Sequence, residues 1–174
     1  MATEAARSIP ATMALSITPT IHIQTTGSME TKAPITLTEV KGDLWTAKGC
    51  LAHCVSRDFA MGKGIAVTFR DRLGSVPELI AQRRSVGQVA SLVMGPGRVA
   101  FYLITKERYF HKPTYETMQA ALKDLASQMI ALGLKELAIP QIGCGLDRLS
   151  WPIVKAMVQT TFAGTGIAVT VYTL

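Results

Sequence analysis

The sequence predicts an α/β fold: a three-layer α/β/α sandwich around a mixed, mostly parallel sheet. Three observations carry that expectation. Short, β-branched apolar runs alternate along the 174 residues with segments whose apolar side chains recur every three or four positions. Strands alternating with helices build a mainly parallel sheet covered on both faces. Two strand-like runs also end directly in chemistry-bearing stretches, Thr105 with Lys106 and the Gly-Cys-Gly-Leu-Asp of residues 143–147. In an open sheet of this kind, ligands bind in the crevice beyond the carboxyl ends of the strands.

Taken in order, residues 1 to about 33 are rich in Ala, Thr, Ser and Met without a sustained period, which reads as a disordered extension. Arg7 and Lys32 are balanced there by Glu4 and Glu30, a poor match to a transit peptide, and Met29 is an alternative start. One domain is expected over residues 34–174. Residues 35–40 alternate as a strand, and residues 50–55 form a second, short and buried one. Ile65, Phe69 and Leu73 repeat at helical spacing, with Arg70 and Arg72 opposite, and a short helix follows over residues 77–84. Residues 89–94 and 99–105 read as a hairpin across Gly95, Pro96 and Gly97.

Thr114 is a good N-cap, with Glu116 placed where the helix dipole favours negative charge. Tyr115, Met118, Leu122, Leu125, Met129 and Leu132 then mark one helix face, ended by Gly133. Residues 137–139 form a strand, Ser150 caps a helix burying Val154, Met157, Val158 and Phe162, and residues 167–172 close the chain as a strand.

Composition narrows the classes. With 48% hydrophobic and 17% charged residues and a mean hydropathy of +0.27, the chain reads as a globular domain able to bury a core without staples. Three cysteines, Cys50, Cys54 and Cys144, are too few and of the wrong parity for a disulfide framework, so a reducing, intracellular compartment is expected. That means nucleus and cytoplasm in a eukaryote, cytoplasm in a bacterium or phage. No apolar run approaches the roughly 18 residues of a membrane span, and no charged n-region precedes an apolar stretch as in a secretory signal. A net charge of +6 suits an anionic partner such as a nucleotide, although a merely solvated basic surface gives the same balance. Lys106, Arg108 and Lys112 are the basic residues expected to gather near the site.

Two glycine loops stand at helix starts. Residues 141–147 join a buried strand to the helix begun at Ser150, and glycines there let backbone N–H groups approach an anion. Met61, Gly62, Lys63 and Gly64 precede another helix start, a natural phosphate site, though the run lacks the third glycine of a dinucleotide fingerprint. Either loop alone could be a plain turn; a diphosphate needs donors from both sides. Lys106 is an ordinary surface lysine or, if partly buried, an amine able to attack an electrophilic carbon. Asp147 either orients the next helix or serves as a general base. Cys50, His53 and Cys54 do not make a metal site, because on a strand the histidine faces away from both thiols and zinc wants four ligands. No metal and no cofactor are expected.

These residues resemble a macrodomain. The resemblance rests on Lys41-Gly-Asp-Leu44, Leu51-Ala-His-Cys-Val-Ser56, Met61-Gly-Lys-Gly-Ile-Ala66, Leu103-Ile-Thr-Lys106, His111-Lys-Pro-Thr-Tyr115, the glycine loop of residues 143–149 and the end Val171-Tyr-Thr-Leu174. Within that fold they look like the lysine-dependent terminal ADP-ribose protein glycohydrolases, from about Ile35 to Leu174. The resemblance implies a site for ADP-ribose. Asp43 would accept from the adenine amino group with Leu44 beside the ring; Gly62, Gly64 and Ile65 on one side, and Gln141, Ile142, Gly143, Cys144, Gly145 and Leu146 on the other, would hold the diphosphate and distal ribose. Ser56 and Leu174 would line the ligand. Lys106 would be the nucleophile at the anomeric carbon, and Asp147 the base or acid that resolves the lysyl intermediate.

Gln141 stands where the family pattern has an arginine, and the asparagine-rich loops of other hydrolytic macrodomains are missing. The implied function is a monomeric hydrolase that removes mono-ADP-ribose from acidic side chains of modified proteins, in ADP-ribosylation reversal and the DNA damage response, with deacetylation of O-acetyl-ADP-ribose as a side activity. The alternatives are a glycohydrolase acting on thymidine-linked ADP-ribose in DNA and a non-catalytic ADP-ribose reader; ADP-ribosylated DNA and poly-ADP-ribose are further partners the resemblance allows. No membrane partner is expected.

Overall fold

A computed structural model describes residues 33–174. The expected extension, residues 1 to about 33, falls almost wholly outside the described residues. Ten regular elements follow one another: β1 (Thr38–Lys41), β2 (Cys50–Ser56), α1 (Ile65–Leu73), α2 (Val76–Ala81), β3 (Val89–Gly95), β4 (Arg98–Lys106), α3 (Tyr115–Leu132), β5 (Glu136–Ile139), α4 (Trp151–Thr161) and β6 (Ala168–Thr173). The six strands form one sheet in the order β1-β6-β5-β2-β4-β3. Every neighbouring pair is parallel except β3 with β4, the hairpin expected across Gly97, whose φ is +67°.

Strand β4 shows why the sheet is covered twice. Val99, Phe101 and Leu103 belong to one buried cluster, while Ala100, Tyr102 and Ile104 belong to the other. Successive side chains of a strand point to opposite faces, so a strand apolar at every position must be packed on both. On one face Met118, Leu122, Leu125 and Met129 of α3, with Val154 and Val158 of α4, complete the core. On the other, Phe69 of α1 and Leu79 of α2 do so. That is the expected three-layer α/β/α sandwich, and no helix among the described residues is long and apolar enough to cross a membrane.

Three local readings change. The first strand starts at Thr38 rather than Ile35, because the Ile35 amide donates instead to the carbonyl of Gln159 at 3.2 Å, at the end of α4. The short second helix is Val76–Ala81, closed before Arg83, which sits at φ +52°. Ser150 does occupy the N-cap of α4, yet its side chain makes no capping hydrogen bond; Pro152 in the first turn, whose fixed φ suits a helix start, serves there instead.

Candidate active site

Because five strands run parallel, all their carboxyl ends share one edge. Asp43 follows β1, Leu174 follows β6, residues 141–147 follow β5, Ser56 ends β2 and Lys106 ends β4. At β2 the chain turns to α1 on one face, whereas β4 and β5 lead to α3 and α4 on the other. Diverging connections of this kind open a crevice. A cavity of about 990 Å³ lies there, lined by the end of β2, residues 60–66, Lys106, Tyr109, Phe110, Lys112 and residues 140–143 and 145–148.

Lys106 is aimed by an irregularity. The pairing of β2 with β4 runs evenly to Val55 opposite Ile104 and then slips, so that Ser56 lies opposite Lys106. A bulge re-aims the side chain beyond it. Thr105 stays buried, while Lys106 reaches the cavity and donates from Nζ to Asp147 Oδ1 at 2.5 Å. Their side chains are only 13% and 16% exposed. Forty-one positions of sequence thus close into one contact, an amine and a carboxylate sheltered together.

The two glycine loops face each other across the cavity. A Cβ built on Gly64 would lie 3.8 Å from Leu146 Cδ1 of the opposite loop. Gly64 itself has φ +60° and ψ −149° and begins α1 with no side-chain cap, leaving first-turn N–H groups available to an anion. Phe59 and Met61, at φ +50° and +46°, hold this loop in the left-handed region. That conformation is costly without glycine, and the burial of both side chains in the α1-side core offsets it. Across the cavity Gly143 has φ +71°, and a Cβ there would meet Met118 Cε at 2.6 Å. Two ties fix the second loop: Lys112 Nζ donates to the Leu146 carbonyl at 2.7 Å, and the Tyr115 hydroxyl accepts from the Ser150 amide at 3.0 Å.

Further polar groups stand at the mouth. The Asp58 carboxylate accepts from the Ser56 hydroxyl, from the Ala60 amide at 3.2 Å and from the Tyr109 amide at 3.0 Å. Burial pushes its carboxyl up, but those donors outweigh it and hold it below the usual carboxylate range. Beneath the cavity His53 is fully buried and stacked on Phe69 at 3.7 Å, with neither ring nitrogen hydrogen-bonded to the protein. Desolvation pushes its imidazole down to about 3, so it is neutral. Its ring lies on the α1 face and Cys50 on the other, as the strand alternation requires. Burial raises the Cys54 thiol well above its usual range, and the Cys144 thiol to about 11.

Of the residues singled out in the sequence, Ser56, Gly62, Gly64, Ile65, Lys106, Gln141, Ile142, Gly143, Gly145, Leu146 and Asp147 line this one cavity. Four do not. Asp43 is exposed on the same sheet edge, where its Oδ1 caps the 3-10 turn Leu44–Thr46 by accepting from the Trp45 amide at 3.0 Å. Leu44 is buried in the α1-side core. The Cys144 thiol turns back to the Ile142 carbonyl at 3.1 Å, and Leu174 is fully exposed. Of the basic residues expected there, Lys106 and Lys112 line the cavity and Arg108 does not; Lys63 and Arg148 join them. Tyr109 and Phe110 were not anticipated at all. Two adjacent aromatic residues between a strand end and a helix cap were the available signal.

Comparison with known structures places the fold. The macrodomain of Thermus aquaticus DarG matches with a TM-score of 0.72 at 28% identity, over 80% of this chain and 99% of that one. Thermosipho africanus DarTG in complex with ADP-ribose matches with 0.69 at 20% identity, over 79% of this chain and 42% of that one. The molecule is a macrodomain. No family model matches the chain. Human ADP-ribose glycohydrolase OARD1, however, is 49% identical over 140 residues, 79% of this chain and 91% of the relative, and the Bos taurus protein of that name is 46% identical over the same length. The chain belongs to the ADP-ribose glycohydrolase family.

Proposed function

We propose that this protein is an ADP-ribosyl hydrolase that releases mono-ADP-ribose from acidic side chains of modified proteins, with Lys106 as nucleophile and Asp147 as base and acid. One observation carries the reading: the sheltered 2.5 Å contact of the two groups inside the cavity formed by both glycine loops. Backbone N–H groups of those loops suit a diphosphate, which sets the distal ribose over Lys106. The Lys106 amine forms a bond to the anomeric carbon as the bond from that carbon to the acceptor carboxylate breaks. The carboxylate leaves with the electron pair, and the amine proton passes to Asp147. Asp147 returns that proton to the linking nitrogen and, as a carboxylate again, takes one from the water that attacks the anomeric carbon. The carbon–nitrogen bond breaks, the Lys106 amine leaves with its electron pair, and the proton gained by Asp147 passes to solvent. The same pair serves an acetyl ester on the distal ribose less directly. Three free cysteines suit a reducing, intracellular setting.

Substituting Lys106→Ala is expected to lower release of ADP-ribose from a glutamate-modified protein by at least about a thousandfold. Calorimetric affinity for free ADP-ribose should change by less than about threefold. Retained hydrolysis would remove Lys106 from the mechanism; a wild-type chain that binds but never releases would make the protein a reader. A second reading, thymidine-linked ADP-ribose in DNA as substrate, is favoured by the net charge of +6 and by Lys63, Lys112 and Arg148 in the cavity wall. The same assay on a modified oligonucleotide decides between the two acceptors.

A further inference from the structure

The described wall of the cavity next to Lys106 is aromatic and outward-facing. Tyr109 and Phe110 are 62% and 66% exposed, yet both line the cavity that holds the lysine. Their rings pack edge to face at 5.3 Å, and Phe110 meets the His111 ring at 4.7 Å. Large aromatic side chains left in water lose the burial that normally rewards them, so a pair held rigidly beside a reactive amine needs a reason.

The rigidity is built in. The Asp58 carboxylate reaches across from the loop after β2, 51 positions away in sequence, to accept from the Tyr109 amide, while its other oxygen holds Ser56 and Ala60. Lys112, two residues beyond Phe110, is bound to the Leu146 carbonyl. The segment bearing the two rings is therefore anchored at both ends to the two glycine loops.

We infer that Tyr109 and Phe110, held by Asp58, form the subsite for the acceptor: the acidic peptide whose carboxylate carries the ADP-ribose. This rests on the proposed hydrolysis of acyl-linked ADP-ribose. With the glycine loops occupied by diphosphate and ribose, the group leaving the anomeric carbon departs past the mouth, where these rings stand. Charge selects the occupant. The carboxylates at the mouth are already engaged: Asp147 with Lys106, Glu107 with Arg57 at 3.2 Å, and Asp58 with the Ser56 hydroxyl and the Ala60 and Tyr109 amides, Arg108 lying near it. Lys63 and Arg148 in the wall pair with no carboxylate among the described residues. A peptide with acidic neighbours around its modified glutamate meets aromatic faces in a cavity whose wall also carries these two cations.

The test compares two substrates on the full chain: an acidic peptide ADP-ribosylated on glutamate, and a single ADP-ribosylated glutamate blocked at both ends. The wild type should favour the peptide in kcat/KM by about tenfold, the scale of one or two aromatic contacts. In the double variant Tyr109→Ala with Phe110→Ala that ratio should fall to about one, and in Asp58→Asn it should fall part-way. Exchange of the rings, Tyr109→Phe with Phe110→Tyr, should retain it. Melting temperatures check that the variants fold. A wild type without preference, or a double variant that keeps it, overturns the subsite. So does a ring-dependent preference seen only with a thymidine-linked oligonucleotide. A wild type that cleaves neither glutamate substrate overturns the proposed hydrolysis, and the subsite with it.

Discussion

Helices α1 and α3 begin at the same edge of the sheet, after the neighbouring strands β2 and β4, and their starts are built oppositely. At α3 the Thr114 hydroxyl accepts from the Thr117 amide at 3.1 Å, and Thr117 Oγ1 accepts in return from the Thr114 amide. This reciprocal box satisfies donors that a helix start otherwise leaves open. At α1 the cap is Gly64, which has no side chain to offer, and the first turn faces the cavity. What α1 lacks at its end it recovers from its side, where Phe69 stacks on His53 and packs edge-on against Tyr102 at 5.9 Å. The lesson is that the fold closes a helix start where stability alone is at stake and leaves it open where a ligand is to be met.

Three perturbations probe that contrast. The largest strikes the anchor of α1. The unfolded chain protonates His53 below about pH 6.5, whereas the folded one does so only near pH 3. Because the unfolded state binds the extra proton between those values, stability is lost as pH falls through that window, by up to about 5 kcal/mol. Urea midpoints measured from pH 7 to pH 4 should fall accordingly, and His53→Met should flatten the decline; an equal slope in both would assign the acid sensitivity elsewhere.

Next in size is the open start itself. Gly64 has a backbone conformation nearly restricted to glycine, and the space around it is ordinary, so Gly64→Ala acts through the backbone rather than by crowding. It should weaken ADP-ribose binding on the order of a hundredfold, read by calorimetry; unchanged affinity would mean that the first turn of α1 does not touch the ligand. The smallest effect belongs to the closed start. Thr114→Ala should cost about 1 kcal/mol, a drop of about 3 °C in melting temperature, and leave the affinity for ADP-ribose as it was.

The parts legible in the sequence were those written in a period. The apolar run of β4 and the α3 stripe depend on neighbours within a few positions: Met118, Leu122, Leu125 and Met129 are buried as expected, whereas Tyr115 and Leu132 at the two ends of the stripe are exposed. The convergence of Lys106 with Asp147 was also readable, because parallel strands bring their carboxyl ends together whatever their separation in sequence. The slip between Val55 and Ser56 was not, since a bulge depends on how two distant strands meet. Ile35 looked like a strand residue because its partner on α4 lies far along the chain. Asp43 and Leu174 reach the predicted edge, but a local cap and full exposure keep their side chains from the cavity. Tyr109 and Phe110 escaped notice because two exposed aromatic residues in a loop obey no repeat.

Cys54 and Cys144 stand close to Lys106 and Asp147. Sulfur is ordinarily the better competitor for an activated sugar carbon, and a thiolate beside the amine would divert it into a dead-end thioglycoside. Burial raises both thiols and so favours their protonated forms; on the proposed lysine mechanism, desolvation would remove that rivalry without either residue having to be replaced.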